Sequence, residues 1–450
     1  MKTPICDFVK AYQESQTSRL HMPGHKGQNI LGFESLDITE IKGADALYEA
    51  DGIIAQSEHN ASTLFGTGRT LYSAEGSSLC IRTMLALVQK RKPQGPHRPV
   101  ILAGRNAHKA LLYACALLDM DIDWIMPNQE QISICSVVIT PQQVKKKLEE
   151  ATHLPIALYI TSPDYLGQMS DIKALADVCH EYDVPLLVDN AHGAYLHFLP
   201  KSQHPMDLGA YMCCDSAHKT FPVVTGGAYL HLSKQANQEI GSMAKASMML
   251  FGSTSPSYLI LQSLDRCNLY LATSFRKELK DLIQIIDQEK QEYIQAGIPI
   301  LPSEKTKITI HASQMGIHGY ELAERLRAHH AEPEFADSDF LVCMFTPQNQ
   351  PIDFERLKQT LLETPRTQPL PSSQQALFQV EPTRKLSIRQ AILSRQKFVP
   401  VNEAIGHICS EPSVSCPPAI PIAVSGEIIT KEMVDVLQTY DVQTIVIVEK

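Results

Sequence analysis

The 450 residues carry 40 basic against 49 acidic side chains, a formal charge of −9, with 44% apolar content. That apolar fraction can fill the cores of two or three domains, and the mild negative charge argues against a nucleic-acid surface. No apolar run reaches membrane-spanning length, and Met1-Lys2-Thr3-Pro4 opens without a signal-peptide core.

The eleven cysteines are scattered, with no C-x-x-C pair, and no His/Glu cluster has zinc spacing. They read as reduced core thiols, with no metal, in a cytoplasmic protein.

Taken in order, residues 4 to 18 read as a short amphipathic helix built on Ile5, Phe8, Val9 and Tyr12. His21-Met22-Pro23-Gly24-His25-Lys26-Gly27 then sets two histidines and a lysine among glycines, either lining a site or forming a surface turn. Residues 30 to 60 read as irregular and acidic. The strand Thr70 to Ser73 leads through Ala74-Glu75-Gly76-Ser77-Ser78 into a helical pattern from Leu79 to Gln89. Strand, small-residue turn and helix aim backbone N–H groups at a phosphate, provided that the side chain of Glu75 points away.

Val100 to Ala103 is the next strand, and His108 follows it at the start of the helix Leu111 to Leu118. A flat ring there either stacks on a flat ligand or faces water. Leu154 to Thr161 is a strand that turns at Ser162-Pro163-Asp164. Ser170 or Asp171 caps a helix bearing Ile172, Leu175, Ala176 and Cys179.

Pro185 to Asp189 is an apolar strand ending in a carboxylate, followed by Asn190-Ala191-His192-Gly193. The apolar run Leu208 to Cys214 ends in Asp215-Ser216-Ala217-His218-Lys219-Thr220. Singly, Asp189 could cap a turn and Lys219 could be a surface lysine. Together, and with a phosphate turn upstream, they suit pyridoxal phosphate, which needs a lysine amine for its Schiff base and an anion beside its ring nitrogen.

Beyond Lys219, Gly226-Gly227 precedes the strand Tyr229 to Leu232. Thr254, Ser255 and their hydroxyl-rich neighbours stand before a helix, as a second phosphate candidate or an ordinary cap. A long charged helix, Phe275 to Ala296, reads as a bridge to a smaller α/β domain containing the helices 319–329 and 353–362. The expected division is an N-terminal segment 1–60, a cofactor-binding domain 61–270, a small domain 271–365, a Pro/Gln/Ser-rich linker 366–382 and a C-terminal domain 383–450. That last domain should hold a helix, a Pro-rich crossing from Cys416 to Pro421, and a terminal helix and strand. Strands alternating with helices predict a mostly parallel sheet with its site at the strand ends.

The blocks H-M-P-G-H-K-G (21–27), R-N-x-H-K (105–109), T-S-P-x-Y (161–165), D-x-A-H-G (189–193), S-x-H-K-T (216–220) and T-S-P-S-Y (254–258) carry a specific likeness. In content and order the chain resembles the ornithine/lysine/arginine decarboxylases in their compact bacterial form. The resemblance implies an α/β fold of the aspartate-aminotransferase type (fold type I), with a mostly parallel seven-stranded sheet plus smaller α/β and C-terminal domains. It implies decarboxylation of arginine, lysine or ornithine to the amine. Lys219 would form the internal aldimine, Asp189 would pair with the pyridinium nitrogen and His108 would stack on the ring. His192 would support Asp189 or the cofactor's hydroxyl side, and Ser77, Ser78, Ser216 and His218 would hold the phosphate. Lys219 or His218 would return the proton to the α-carbon. Thr254 and Ser255 would reach the neighbour's cofactor across an obligate homodimer.

Asn190, Leu79, Glu75, Tyr211, Ala194-Tyr195 and Ala419 depart from the family's usual residues. They leave room for an aminotransferase, a carbon–sulfur lyase or a silent cofactor-binding regulator. Arg384 and Arg389 are candidates for an aminotransferase's carboxylate clamp. Asp37, Glu40, Asp45, Asp51 and Glu334 are candidates for recognising a basic side chain.

Overall fold

A computed structural model describes residues 1–91, 95–127, 133–371, 381–412 and 419–449. Its main sheet has seven strands: β1 (Arg69–Ser73), β2 (Val100–Gly104), β3 (Asp121–Ile125), β4 (Ala157–Thr161), β5 (Leu186–Asp189), β6 (Met212–Asp215) and β7 (Ala228–Leu232). Their order is β1-β7-β6-β5-β4-β2-β3. β5, β6 and β7 are buried along their whole length, which is why β5 and β6 read as apolar runs up to their final acid rather than as alternating ones.

Pairing is parallel between β5 and β6, β2 and β3, and β2 and β4. β7 is antiparallel to both β1 and β6. The C-terminal ends of β1, β5 and β6 therefore share one edge with the start of β7.

The chain forms two compact units, each made of two separated stretches. One comprises Met1–Gln94 and Ile172–Glu278, the other Gly95–Asp171 and Leu279–Lys450. The consecutive domains expected from the sequence divide the chain differently. The first unit contains β1, β5, β6 and β7.

The second contains β2, β3, β4 and a four-stranded antiparallel sheet, β8 (Ile300–Leu301), β9 (Lys307–His311), β10 (Phe335–Ala336) and β11 (Phe340–Met344), in the order β10-β11-β9-β8. The helices Gly319–Ala328 and Pro351–Glu363 bury Leu322, Leu326, Phe354 and Leu357 in one cluster with Ile308, Ile310 and Leu341. The last pair, β12 (Gln396–Pro400) and β13 (Thr444–Val448), packs Val399, Ile445 and Ile447 with Met433 and Leu437 of the helix Lys431–Thr439.

Several elements differ from expectation. The first helix spans Pro4–Glu14, and a helix, Ile53–Phe65, occupies part of the stretch read as irregular. Its start is fixed from a distance: the Asp45 carboxylate accepts the N–H groups of Gly52 at 2.9 Å, Ile54 at 3.0 Å and Ala55 at 3.3 Å. A cap normally stands next to its helix, so this one leaves no local signature. β3 and the helix Pro141–Glu150, whose N-terminus Thr140 and Gln143 cap reciprocally, also go beyond the expectation. Cys416 to Pro418 of the expected crossing lie outside the described residues. No described helix is long and apolar enough to cross a membrane.

Candidate active site

β6 ends at Asp215, and Ala217–Thr220 makes one helical turn that carries His218 and Lys219. The Nζ of Lys219 lies 2.8 Å from Nε2 of His192. His192 is buried in the turn after β5, where the N–H of Gly193 donates to the carbonyl of Asn190 at 2.8 Å. An ammonium has only donors, so the lysine donates and a neutral ring accepts.

Asp189 closes β5 and is 3% exposed. Its Oδ1 accepts the N–H of Ala191 at 3.2 Å and the thiol of Cys214 at 3.6 Å. The β5–β6 register sets Asp189 beside Cys214, and so brings the carboxylate and the lysine turn to neighbouring strand ends.

The turn after β1 meets the same edge. Gly76 has φ +67°, a conformation that favours glycine, and its N–H donates to the carbonyl of Gly226 at 2.7 Å. The helix Gly76–Arg91 starts there, so Ser77 and Ser78 fall in a first turn whose N–H groups have no acceptor within the helix. The hydroxyl of Ser216 donates to that of Ser77 at 2.9 Å. His218 sends both its backbone N–H (3.1 Å) and its ring Nδ1–H (2.9 Å) to the carbonyl of Gly227.

The Glu75 side chain turns toward residue 253: its Oε1 accepts the N–H of Ser253 at 2.6 Å. Thr254 and Ser255 beside it are exposed, and the following helix, Tyr258–Thr273, begins at the buried Tyr258. The first unit thus brings together Ser77, Ser78, Asp189, His192, Ser216, His218 and Lys219.

His108 belongs to the second unit. It caps the helix Lys109–Leu118, its Nδ1 accepting the N–H of Ala110 at 3.1 Å, and the N–H of Lys109 donates to the carbonyl of Ala419 at 3.0 Å. In the 21–27 block, His21 meets the hydroxyl of Tyr12 at 2.6 Å and His25 meets Asp37 at 3.2 Å.

Three of the acids and both arginines considered for substrate binding have structural partners. Asp37 faces His25, Asp45 caps a helix, and Glu334 accepts the Tyr165 hydroxyl at 3.0 Å. Arg384 lies 3.4 Å from Asp121, and Arg389 donates to the carbonyls of Ala116 and Leu117 at 3.1 Å.

Sequence reasoning missed a fully buried cluster behind the lysine turn. Nε2 of His204 and Nε2 of His231 each lie 3.0 Å from Oδ2 of Asp215, and Asn190 Nδ2 donates to Asp215 Oδ1 at 2.7 Å. His204 Nδ1 accepts the N–H of Met206 at 3.3 Å, which leaves the proton on its Nε2. While that bond holds, Nε2 cannot turn a lone pair toward a metal; this is a hydrogen-bonded anion. Burial pushes the Asp215 carboxyl up, but the two imidazoles outweigh it and hold the group well below the usual carboxylate range. His204 lies eleven residues before Asp215 and His231 sixteen after it, so only the fold joins them.

Residues 3–311 match the family described as Orn/Lys/Arg decarboxylase, major domain. The chain belongs to this family. It is an amino-acid decarboxylase, of a family of pyridoxal-phosphate-dependent carboxy-lyases. The decarboxylase is 31% identical to the arginine decarboxylase of Bacillus subtilis over 96% of this chain and 92% of that one. It is 29% identical to the arginine decarboxylase of Halalkalibacterium halodurans over 96% and 91%. Its fold is similar to the lysine decarboxylase of Francisella novicida, with TM-score 0.80 and 18% identity over 99% of this chain and 79% of that one.

Proposed function

We propose that the chain removes carbon dioxide from a basic amino acid, arginine first, using pyridoxal phosphate held on Lys219. The observation that carries this reading is the pairing of the Lys219 amine with His192 beside the buried Asp189 at the next strand end. The residues fit the cofactor: an amine for covalent attachment, an anion for the ring nitrogen, and a helix start with Ser77 and Ser78 for the phosphate. Bound there, pyridoxal phosphate supplies the electron sink for the carboxylate's departure.

The side chains do the rest. Asp189 would keep the ring nitrogen protonated, since a buried carboxylate raises the pKa of a cation beside it. Ser77, Ser78 and Ser216 bind the phosphate, with His218 holding the lysine turn against Gly227. His192 would accept a hydrogen bond from the Lys219 Nζ, and Lys219 or His218 would donate a proton to the product's α-carbon. His108 would stack on the ring, and Thr254 and Ser255 would reach the second subunit's site in a homodimer. Arginine ranks first because the relatives at 31% and 29% identity are named arginine decarboxylases. The engagement of Arg384 and Arg389 elsewhere speaks against an aminotransferase clamp built from them. Nine buried free thiols among the described residues suit a cytoplasmic enzyme.

The test is to reconstitute the protein with pyridoxal phosphate, record its visible absorption band, and measure carbon dioxide release from arginine, lysine and ornithine in turn. Release that is fastest from arginine supports the whole reading. A band with no release from any of the three overturns it.

A further inference from the structure

We infer that Asp215, acting through Asn190, is a positioning residue for the Lys219–Asp189 pair; the inference rests on the proposed cofactor site. Asp215 is 0% exposed, and its carboxylate takes three donors: His204 Nε2–H, His231 Nε2–H and the Asn190 amide. Thr70 Oγ1 lies 2.8 Å from the Nδ1 of His231, as the N–H of Met206 meets that of His204, so both rings are locked from behind. An ionised group so deep persists only because it is fully hydrogen-bonded.

Asn190 carries this anchor to the reacting groups. It directly follows Asp189, and its backbone N–H donates to the carbonyl of Cys214 at 3.0 Å, so main chain and side chain both bind the end of β6. Its Oδ1 packs over Gly193, where a Cβ would come within 2.0 Å, so Asn190 also shapes the turn that holds His192. His192 in turn meets Lys219 Nζ, and Lys219 lies one helical turn beyond Asp215. Two hydrogen bonds and two short stretches of chain close a ring: Asp215 to Asn190, along the turn to His192, across to Lys219 and back along the chain to Asp215. The amide must point its NH₂ at Asp215, because the reversed orientation would set two oxygens against each other. Asn190 thus works as the neutral half of an acid–amide pair, a role that a carboxylate could not fill beside Asp215.

Three variants test this: Asp215→Asn, Asn190→Ala and the exchange Asn190→Asp with Asp215→Asn. Each is purified without cofactor, then titrated with pyridoxal phosphate and assayed with the substrate that the wild type uses. Asp215→Asn removes the anion and leaves the Asn190 amide either facing another donor or turned over, and Asn190→Ala removes the link while leaving the anion under its imidazoles. Both should weaken cofactor binding and lower kcat by about tenfold or more, the size of a lost buried hydrogen bond to a charged group, with KM nearly unchanged. The exchange restores one donor and one acceptor and should recover cofactor binding to within about threefold of wild type.

Wild-type cofactor affinity in Asn190→Ala, with only a lower melting temperature, would overturn the inference even if Asp215→Asn failed to fold. Failure of the exchange to recover affinity would do the same. A wild type that binds no pyridoxal phosphate would instead overturn the proposed function on which the inference stands.

Discussion

Lys219 and His192, 27 residues apart in the chain, meet at 2.8 Å between Nζ and Nε2. The contact holds the amine at the shared edge of β5 and β6. Lys219→Ala should abolish the covalent visible band of the reconstituted protein and cut turnover by about a thousandfold or more. Absorbance spectra and carbon dioxide release check both, and retained turnover would remove Lys219 from its proposed role.

Asp189→Asn keeps an acceptor for the N–H of Ala191 but removes the negative charge. The variant should fold and still bind the cofactor, with kcat lower by about a hundredfold, because an uncharged partner no longer favours the protonated ring. A kcat within about threefold of wild type would show that the anion is dispensable.

Asp164 gives a pH dependence unrelated to turnover. Burial pushes its carboxyl up to about 6, opposed by hydrogen bonds and by the nearby Lys307. A raised carboxyl binds its proton more tightly when folded, so its favourable contribution is complete below about pH 4 and is lost as pH rises through 6. Asp164→Asn makes the site permanently neutral. The variant should gain up to about 3 kcal/mol over wild type at pH 8, and the gain should shrink on acidification toward pH 4. Thermal melts of both proteins at the two pH values decide it; a gap independent of pH would contradict the assignment.

Ala419 sits at φ +58° and is buried. A left-handed alanine is strained by about 1 kcal/mol, an amount close to the extra chain entropy that glycine loses on folding. Ala419→Gly should therefore leave stability within about 1 kcal/mol of wild type, or raise it. Ala391→Gly, inside the helix Ile388–Ile392, should lower it by about 1 kcal/mol or more. Urea unfolding midpoints compare the two.

The strand ends were legible because β5 and β6 are unbroken apolar runs that stop at an acid, and the motifs beyond them carry Lys219 and Asp189. Gly76, Ser77 and Ser78 were legible for a similar reason: small residues between a strand and a helix. The partner of His192 was not legible, since the turn at 190–193 decides where the ring points. The Asp215 cluster was hidden more completely. It depends on the register that sets His231 opposite Cys213, and on a loop that returns His204 to the strand end. Pairing of this kind is encoded in the packed faces of whole strands and leaves no local spacing to find. The Asp45 cap was missed on similar grounds, because the helix it starts begins eight residues further on, at Ile53.

The edge strand β1 pairs with β7, whose residues lie more than 150 positions further along the chain. During synthesis at about 10 residues per second, β1 waits roughly a quarter of a minute on the ribosome before its partner emerges. Throughout that interval the backbone groups that β1 pairs with β7 have no native partner, although Glu58 and Ser62 of the preceding helix already accept the N–H groups of Tyr72 and Thr70. Contacts so distant in sequence also slow refolding from denaturant. Recombinant yield should therefore depend on holding chaperones and on growth temperature more than the folded enzyme's own stability would suggest.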